Sequence, residues 1–301
     1  MKRRICFIVS CLLLSCLTAY SQDNLMSLRL MTYNIQHGAG IDDVIDLDRQ
    51  AAVIQNALPD VVGLQEVDSV VKRSGYIDQA AYLANSLGMY STFGPAIPLT
   101  RGKYGVAILS KEQPMSVRNI PLPGTEKRTL LVCEFQEYVF ATTHLDLNDS
   151  CRLASLPIII EEAASWEKPF FICGDWNDKP SSTLITKMKK SFVFLSNLVE
   201  TSSNYTFPAN NPNRIIDYIA SYGRVIKSIR SRKVLNEPEA SDHRPIVVEI
   251  KMEQYTTNIT SPSAGDVSAK EEVTYDLTGK AVNGQLHKGI YIKNGKKIVV
   301  K

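Results

Sequence analysis

Residues 130–143 read Leu-Leu-Val-Cys-Glu-Phe-Gln-Glu-Tyr-Val-Phe-Ala-Thr-Thr, two apolar runs whose polar break is Gln136-Glu137. Val, Phe, Tyr and Thr crowd both arms, the residue types that fit a pleated surface, and so short a break is the length of a tight hairpin turn. Strands joined this closely run antiparallel, because a parallel pair needs a crossover of a dozen or more residues. The hairpin therefore excludes a purely parallel, doubly wound sheet.

Outward from the hairpin, short runs rich in Val, Ile, Leu, Phe and Tyr predict strands at 27–33, 61–65, 105–109, 170–173, 215–220 and 246–250. Helical patterns alternate with them. Asp46 can cap 47–58, where Leu47, Ala51, Ile54 and Leu58 share a face; Asp78 can cap 79–87; and 150–166 gives a third helix despite Pro157. Hairpins mixed with interleaved helices predict an α/β fold, a four-layer sandwich of two packed mixed β-sheets flanked by helices. No internal repeat or long low-complexity run is visible.

The two ends have a different character. Lys2, Arg3 and Arg4 precede an apolar run from Ile5 to Leu17 and then Ala19-Tyr20-Ser21, so residues 1–21 read as a secretory signal cleaved before Gln22. The run is shorter than the roughly 20 residues that span a bilayer, and no transmembrane span is expected in the mature chain. Leu13-Leu14-Ser15-Cys16 keeps a lipoprotein alternative open, although Leu14 is large for its position. Cys6, Cys11 and Cys16 fall within the signal; Cys133, Cys151 and Cys173 remain, an odd number that implies no disulfide framework. Residues 22–254 read as one catalytic domain. Within 255–301, a Thr/Ser/Asn/Pro-rich linker at 256–265 leads into a small C-terminal β module, with turns at Thr278-Gly279 and Asn294-Gly295.

Polar residues gather where the apolar runs stop: Asn34, Glu66, His144, Asp175 with Asn177, Asp217, and Asp242 with His243. Asn34, Glu66 and Asp242 offer oxygen donors alone, which suit Mg²⁺ or Mn²⁺ better than a thiolate or imidazole metal. A hard cation so held can grip a phosphate and steady a leaving oxygen. Asp175, at a strand end, can orient or deprotonate an attacking water. Asn177 can donate amide hydrogens to developing phosphoryl charge, although Gly-Asp-Trp-Asn taken alone also reads as an Asx turn. His243 and His144 are the proton-transfer candidates; Asp217, if set against His243, would fix the ring and favour its protonated form.

These motifs, in order, resemble the endonuclease/exonuclease/phosphatase superfamily: Tyr-Asn-Ile-Gln-His-Gly at 33–38, Pro-Asp-Val-Val-Gly-Leu-Gln-Glu-Val-Asp at 59–68, Gly-Lys-Tyr-Gly-Val-Ala-Ile-Leu-Ser at 102–110, Thr-His-Leu-Asp at 143–146, Gly-Asp-Trp-Asn at 174–177, Ile-Asp-Tyr-Ile at 216–219 and Ser-Asp-His-Arg-Pro at 241–245. The resemblance implies Mg²⁺-dependent phosphoester hydrolysis. By position, it implies metal-side residues at Asn34, Glu66 and Asp242, a water-handling Asp175, a transition-state donor at Asn177, a phosphate-facing His243–Asp217 pair and a second imidazole at His144. Arg128 and Tyr104 are carried over to the substrate side. Arg214 stands two isoleucines before Asp217, not directly beside Ile-Asp-Tyr, and is given no substrate role. Residues 101–104 contain no acid, which argues against a DNase-style acid partner for His144. The tail is similar to type IX secretion sorting domains, which implies export machinery as a partner.

Charge narrows the substrate. The chain carries 34 basic and 31 acidic residues, and losing the signal removes three bases and no acid, leaving 31 of each. Residues 22–254 hold 24 basic and 27 acidic groups, net −3, whereas 255–301 hold 7 and 4, net +3. Tracking a polyanion requires several phosphates to be neutralised together. A small phosphoester or lipid headgroup is thus favoured, a secreted nuclease is the alternative, and a non-catalytic surface binding module is the second alternative. An exported, periplasmic, cell-surface or extracellular monomer is expected.

Overall fold

The computed structural model describes residues 25–223, 225–255, 274–276, 280–282, 286, 288–293 and 296–300. The expected signal, its cleavage point, the linker and the turns at 278–279 and 294–295 lie outside the described residues. The chain divides into two compact units, Met1–Tyr255 and Thr256–Lys301.

In chain order the first unit contains β1 (Leu25–Asn34), α1 (Leu47–Ala57), β2 (Val61–Ser69), α2 (Gln79–Leu87), β3 (Tyr90–Leu99), β4 (Gly102–Ser110), β5 (Ser116–Leu122) and β6 (Arg128–Glu134). It continues with β7 (Val139–His144), α3 (Asp149–Ala164), β8 (Phe170–Asp175), α4 (Thr183–Met188), β9 (Phe192–Phe194), β10 (Asp217–Tyr222), β11 (Ser228–Val234) and β12 (Ile246–Glu253). The strands form two six-stranded sheets, ordered β11-β12-β1-β2-β4-β3 and β5-β6-β7-β8-β10-β9. Only β1/β2 and β7/β8 pair in parallel, each across a helical crossover, α1 and α3; the other pairs are antiparallel. The hairpin at 130–143 is β6–β7, closed by Phe135 N–H donating to Tyr138 O at 2.8 Å.

Three apolar cores separate four layers. Leu30, Val61 and Ile108 of the first sheet meet Leu131, Phe140 and Phe171 of the second, forming the middle core. Leu47, Ile54 and Leu83 of α1 and α2 cover the outer face of the first sheet. Leu156, Ile159, Leu184 and Ile185 of α3 and α4 cover the second. Central strands buried on both faces explain the near-continuous apolar runs. The sheets approach closely at Gly63, where an added Cβ would stand 2.3 Å from Cys173 Sγ and 2.6 Å from Thr142 Oγ1. Beside it Gln65 donates to Thr142 Oγ1 at 2.8 Å and accepts from Thr32 Oγ1 at 3.3 Å, so one buried amide ties the two sheets together.

Helix starts follow their caps. Asp46 accepts from the N–H groups of Asp48 and Arg49, and Asp78 from Ala81. The third helix begins earlier than expected, because Asn148 accepts from Ser150 N–H and Cys151 N–H. In the second unit, β13 (Thr274–Asp276), β14 (Ala281–Val282), β15 (Gly289–Lys293) and β16 (Lys296–Val300) form an antiparallel sheet ordered β14-β13-β15-β16.

Candidate active site

The parallel strands β1, β2, β7 and β8 deliver Asn34, Glu66, His144 and Asp175 at or near their carboxyl ends, where open α/β sheets present ligand sites. Asp217 opens β10, which pairs with β8 so that Asp217 lies opposite Asp175. Asp242 and His243 arrive on the loop before β12. Glu66 reaches the site through a β-bulge. Leu64 and Val67 both pack into the helix-side core although three residues apart, and the ladder to β4 shifts between them. Glu66 takes φ 58 as it turns out of the strand.

Asp175 is the hub. Its Oδ2 accepts from Asn34 Nδ2 at 3.1 Å and lies 3.5 Å from His243 Nε2 and 3.6 Å from His144 Nε2. Its Oδ1 accepts the Asn177 N–H at 2.9 Å, so the Asx turn and the active-site placement coexist. Asn34 Nδ2 also donates to Glu66 Oε1 at 3.0 Å, while Asn34 Oδ1 is taken by the Gln36 N–H at 3.0 Å. Asn34 thus sets the Glu66 and Asp175 carboxylates, and its own oxygen accepts one hydrogen bond, which leaves its second lone pair for the metal contact expected of it. Asn177 lines the same cavity with its amide already engaged. Its amide donates to His144 Nε2 and to Leu145 O, both at 3.0 Å, so serving a phosphoryl oxygen requires release of one of these bonds.

His243 Nδ1 lies 3.0 Å from Asp217 Oδ2, with the pair almost wholly buried. Burial opposes its charge, but the Asp217 and Asp175 carboxylates outweigh it and raise the imidazole to about 10. His144 takes the opposite course. Burial lowers it to about 4, so it is neutral, accepts from Asn177, and keeps a buried Nδ1 without a partner among the described residues. That matches the lack of an acid at 101–104. Burial pushes Asp175 and Asp242 upward, with Glu66 adding to both. Burial also opposes Glu66 ionisation, yet His37 and the Asn34 amide hold it down at about 2; His37 Nδ1 stands 3.9 Å away.

Glu66, Asp175 and Asp242 converge on one cavity of about 430 Å³. Such crowding of acids is relieved by a cation, and the oxygen donors of Glu66 and Asp242 fit a hard divalent one. Asp175, Asp217 and His243 also cluster tightly enough to hold a metal, but a protonated His243 fixed on Asp217 has no lone pair to offer. Arg128 and Tyr104 line the cavity, Arg128 beside Glu126 at 3.4 Å. Sequence reasoning missed Arg214, Phe207, Glu126, Leu147 and Ile216, which complete the wall. Arg214 lies over the Phe207 ring at 4.9 Å, that ring packs 4.7 Å from His243, and Arg214 Nε is buried without a partner among the described residues. Arg214, given no substrate role on spacing alone, thus faces the cavity. The Arg214 backbone pairs with Phe207, a contact that spacing from Asp217 does not reveal.

The sequence matches the model of the endonuclease/exonuclease/phosphatase family over residues 31–243, the interval that spans these site residues. The chain belongs to this family. Its members are phosphoester hydrolases and in general depend on a divalent metal. No curated protein sequence matches. Among solved structures, a family protein from Bacteroides vulgatus is 20% identical with TM-score 0.62, covering 76% of this chain and 100% of its own. One from Beutenbergia cavernae is 21% identical with TM-score 0.61, covering 75% and 72%. A mannosyl-6-phosphatase from Bacteroides thetaiotaomicron is 17% identical with TM-score 0.59, covering 74% and 99%. At these identities the likeness establishes the shared sandwich.

Proposed function

We propose that the chain is an exported, divalent-metal-dependent hydrolase of small phosphate esters. The observation that carries this reading is the convergence of Glu66, Asp175 and Asp242 on a single cavity that also holds His243, Arg128 and Arg214. Glu66 and Asp242 would hold Mg²⁺ or Mn²⁺, which polarises a phosphoryl group and stabilises the leaving oxygen. Asp175, raised by burial, is suited to accept the proton of an attacking water. His243 presents an Nε2 proton to a phosphoryl oxygen while Asp217 fixes its other nitrogen. Arg128 and Arg214 supply guanidinium donors for the remaining oxygens.

The cavity is the size of a small-molecule site, and the net −3 of residues 22–254 favours a compact ester or a lipid headgroup over a nucleic acid. A sugar phosphate belongs to that class; the mannosyl-6-phosphatase on the same fold adds weight to it. A binding module that had lost catalysis would be expected to lack several of these groups, and all are present. The pattern at residues 1–21 supports export, and the tail supports a role in sorting. Among the described residues no helix is long and apolar enough to cross a membrane.

Aryl phosphomono- and diesters with Mg²⁺, Mn²⁺ or EDTA test the proposal. Hydrolysis should require the metal, and Asp175→Ala and His243→Ala should each lower kcat by about 10²–10⁴. Full activity in both variants would overturn it.

A further inference from the structure

The loop at 69–78 is fixed from within yet turns its large apolar side chains outward. Ser69 and Asp78 close it by a bridge and by Ser69 Oγ donating to Asp78 Oδ2 at 3.1 Å. Val70 N–H donates to Ile77 O at 3.0 Å and Tyr76 N–H to Val71 O at 2.9 Å. Val71 is buried, whereas Val70, Tyr76 and Ile77 are 44%, 48% and 37% exposed. Val70 and Tyr76 also hold left-handed backbone, φ 59 and 61. For a β-branched valine this is strained, and such strain gathers at sites that use it.

The β3–β4 turn lies against this loop. Thr100 Oγ1 accepts the Lys72 N–H at 3.3 Å. Gly102 makes the approach possible, because an added Cβ would stand 2.1 Å from Ser69 O. Between the two segments is an open groove of about 560 Å³, with Val70, Phe93 and Pro95 on its apolar wall and Arg101 and Lys103 on its basic one. Lys72, Arg101 and Lys103 are exposed, and none forms an ion pair among the described residues. Arg73, in contrast, is engaged by Asp68 at 2.8 Å and lies over the Tyr104 ring at 5.3 Å. Tyr104 follows Lys103 and lines the catalytic cavity, so the basic, apolar surface adjoins the site.

We infer that this surface docks the molecule on an anionic lipid bilayer, with Val70, Tyr76 and Ile77 entering the interface and Lys72, Arg101 and Lys103 meeting the headgroups. Charge complementarity selects the occupant. A protruding set of two aliphatic and one amphipathic side chain, ringed by free cations, suits an interfacial layer. A nucleic-acid strand would call for aromatic stacking platforms, and of the three exposed loop side chains Tyr76 alone is aromatic. The consequence that the ester is borne on a lipid rests on the hydrolase reading above; the docking itself does not.

Co-sedimentation of the full chain with vesicles of phosphatidylcholine alone, or mixed with phosphatidylglycerol, tests the inference. Binding should require the anionic lipid and weaken with salt. The triple variant Lys72→Gln, Arg101→Gln, Lys103→Gln should bind about 100-fold more weakly, at roughly 1 kcal/mol per charge. Val70→Gly should weaken binding while raising Tm, since glycine relieves the left-handed strain, so the loss is not one of folding. Soluble aryl-ester hydrolysis should be unchanged in both variants. Absence of binding to anionic vesicles, or binding indifferent to these substitutions, overturns the inference, as does a single-stranded oligonucleotide bound in preference to vesicles. A wild type that binds vesicles and fails on the aryl ester counts against the hydrolase reading and upholds the docking surface.

Discussion

Glu66 and Asn177 hold left-handed backbone at φ 58 and 50, and both belong to the site, the one turned out of β2 by a bulge and the other by the turn after β8. Their residue types were legible in the sequence because carboxylates, amides and imidazoles recur together at the ends of several apolar runs. Their orientation was not, since a bulge shows only as Leu64 and Val67 sharing a core. Arg214, Phe207, Glu126 and Leu147 lie in aperiodic segments that only tertiary pairing brings to the cavity. Arg214→Ala should raise KM more than it lowers kcat, because its guanidinium serves substrate oxygens in both ground and transition states; an unchanged KM would exclude it from the wall of the occupied site. His243 holds its proton to about 10 in the fold against 6.5 for an ordinary imidazole. The pair with Asp217 therefore stabilises in full below 6.5 and its contribution is lost as pH climbs through 10. Metal-free protein should lose on the order of a few kcal/mol of unfolding free energy across that window, read by denaturant titration at each pH, and His243→Gln should flatten the slope.

The strands legible at first reading are those in the interior of the two sheets, β1, β2, β4, β6, β7, β8, β10 and β12. Those missed, β3, β5, β9 and β11, are the four edges. Edge strands face solvent along one side, and here they carry Pro95 and Pro98 in β3, Pro121 in β5, and Arg230, Arg232 and Lys233 in β11. Such residues suppress strand-to-strand aggregation and erase the apolar alternation that marks a strand in sequence. The two parallel pairs with their crossover helices, β1-α1-β2 and β7-α3-β8, are related in architecture without visible sequence repetition, and each gives its carboxyl ends to the site. Gly63 keeps the sheets in contact. Gly63→Val should cost about 1–3 kcal/mol or more, since the new side chain meets Cys173 and Thr142 of the facing sheet; thermal melts would measure it, and a neutral result would mean the sheets can part without loss.

At the level of the molecule, every site residue lies in the unit ending at Tyr255. A chain stopped after Tyr255 should keep the wild-type kcat on a soluble aryl ester, whereas a cut before β12 should abolish folding; activity lost with the tail would assign it a part in catalysis. The charge balance was legible from composition, but the surface beside the site was not, because Lys72, Arg101 and Lys103 come from segments that only the β2–β4 pairing joins. The sheet order has a further effect on timing. β1 is the first strand of its sheet to be made, yet one of its two neighbours, β12, is the last of that sheet. Until residue 246 leaves the ribosome, one edge of β1 has no partner strand, and Asn34 stands without the Ser241 hydroxyl that donates to its carbonyl at 2.7 Å. The nascent chain must therefore remain incomplete through nearly the whole of its synthesis, a stage at which holding chaperones have an open strand to grip.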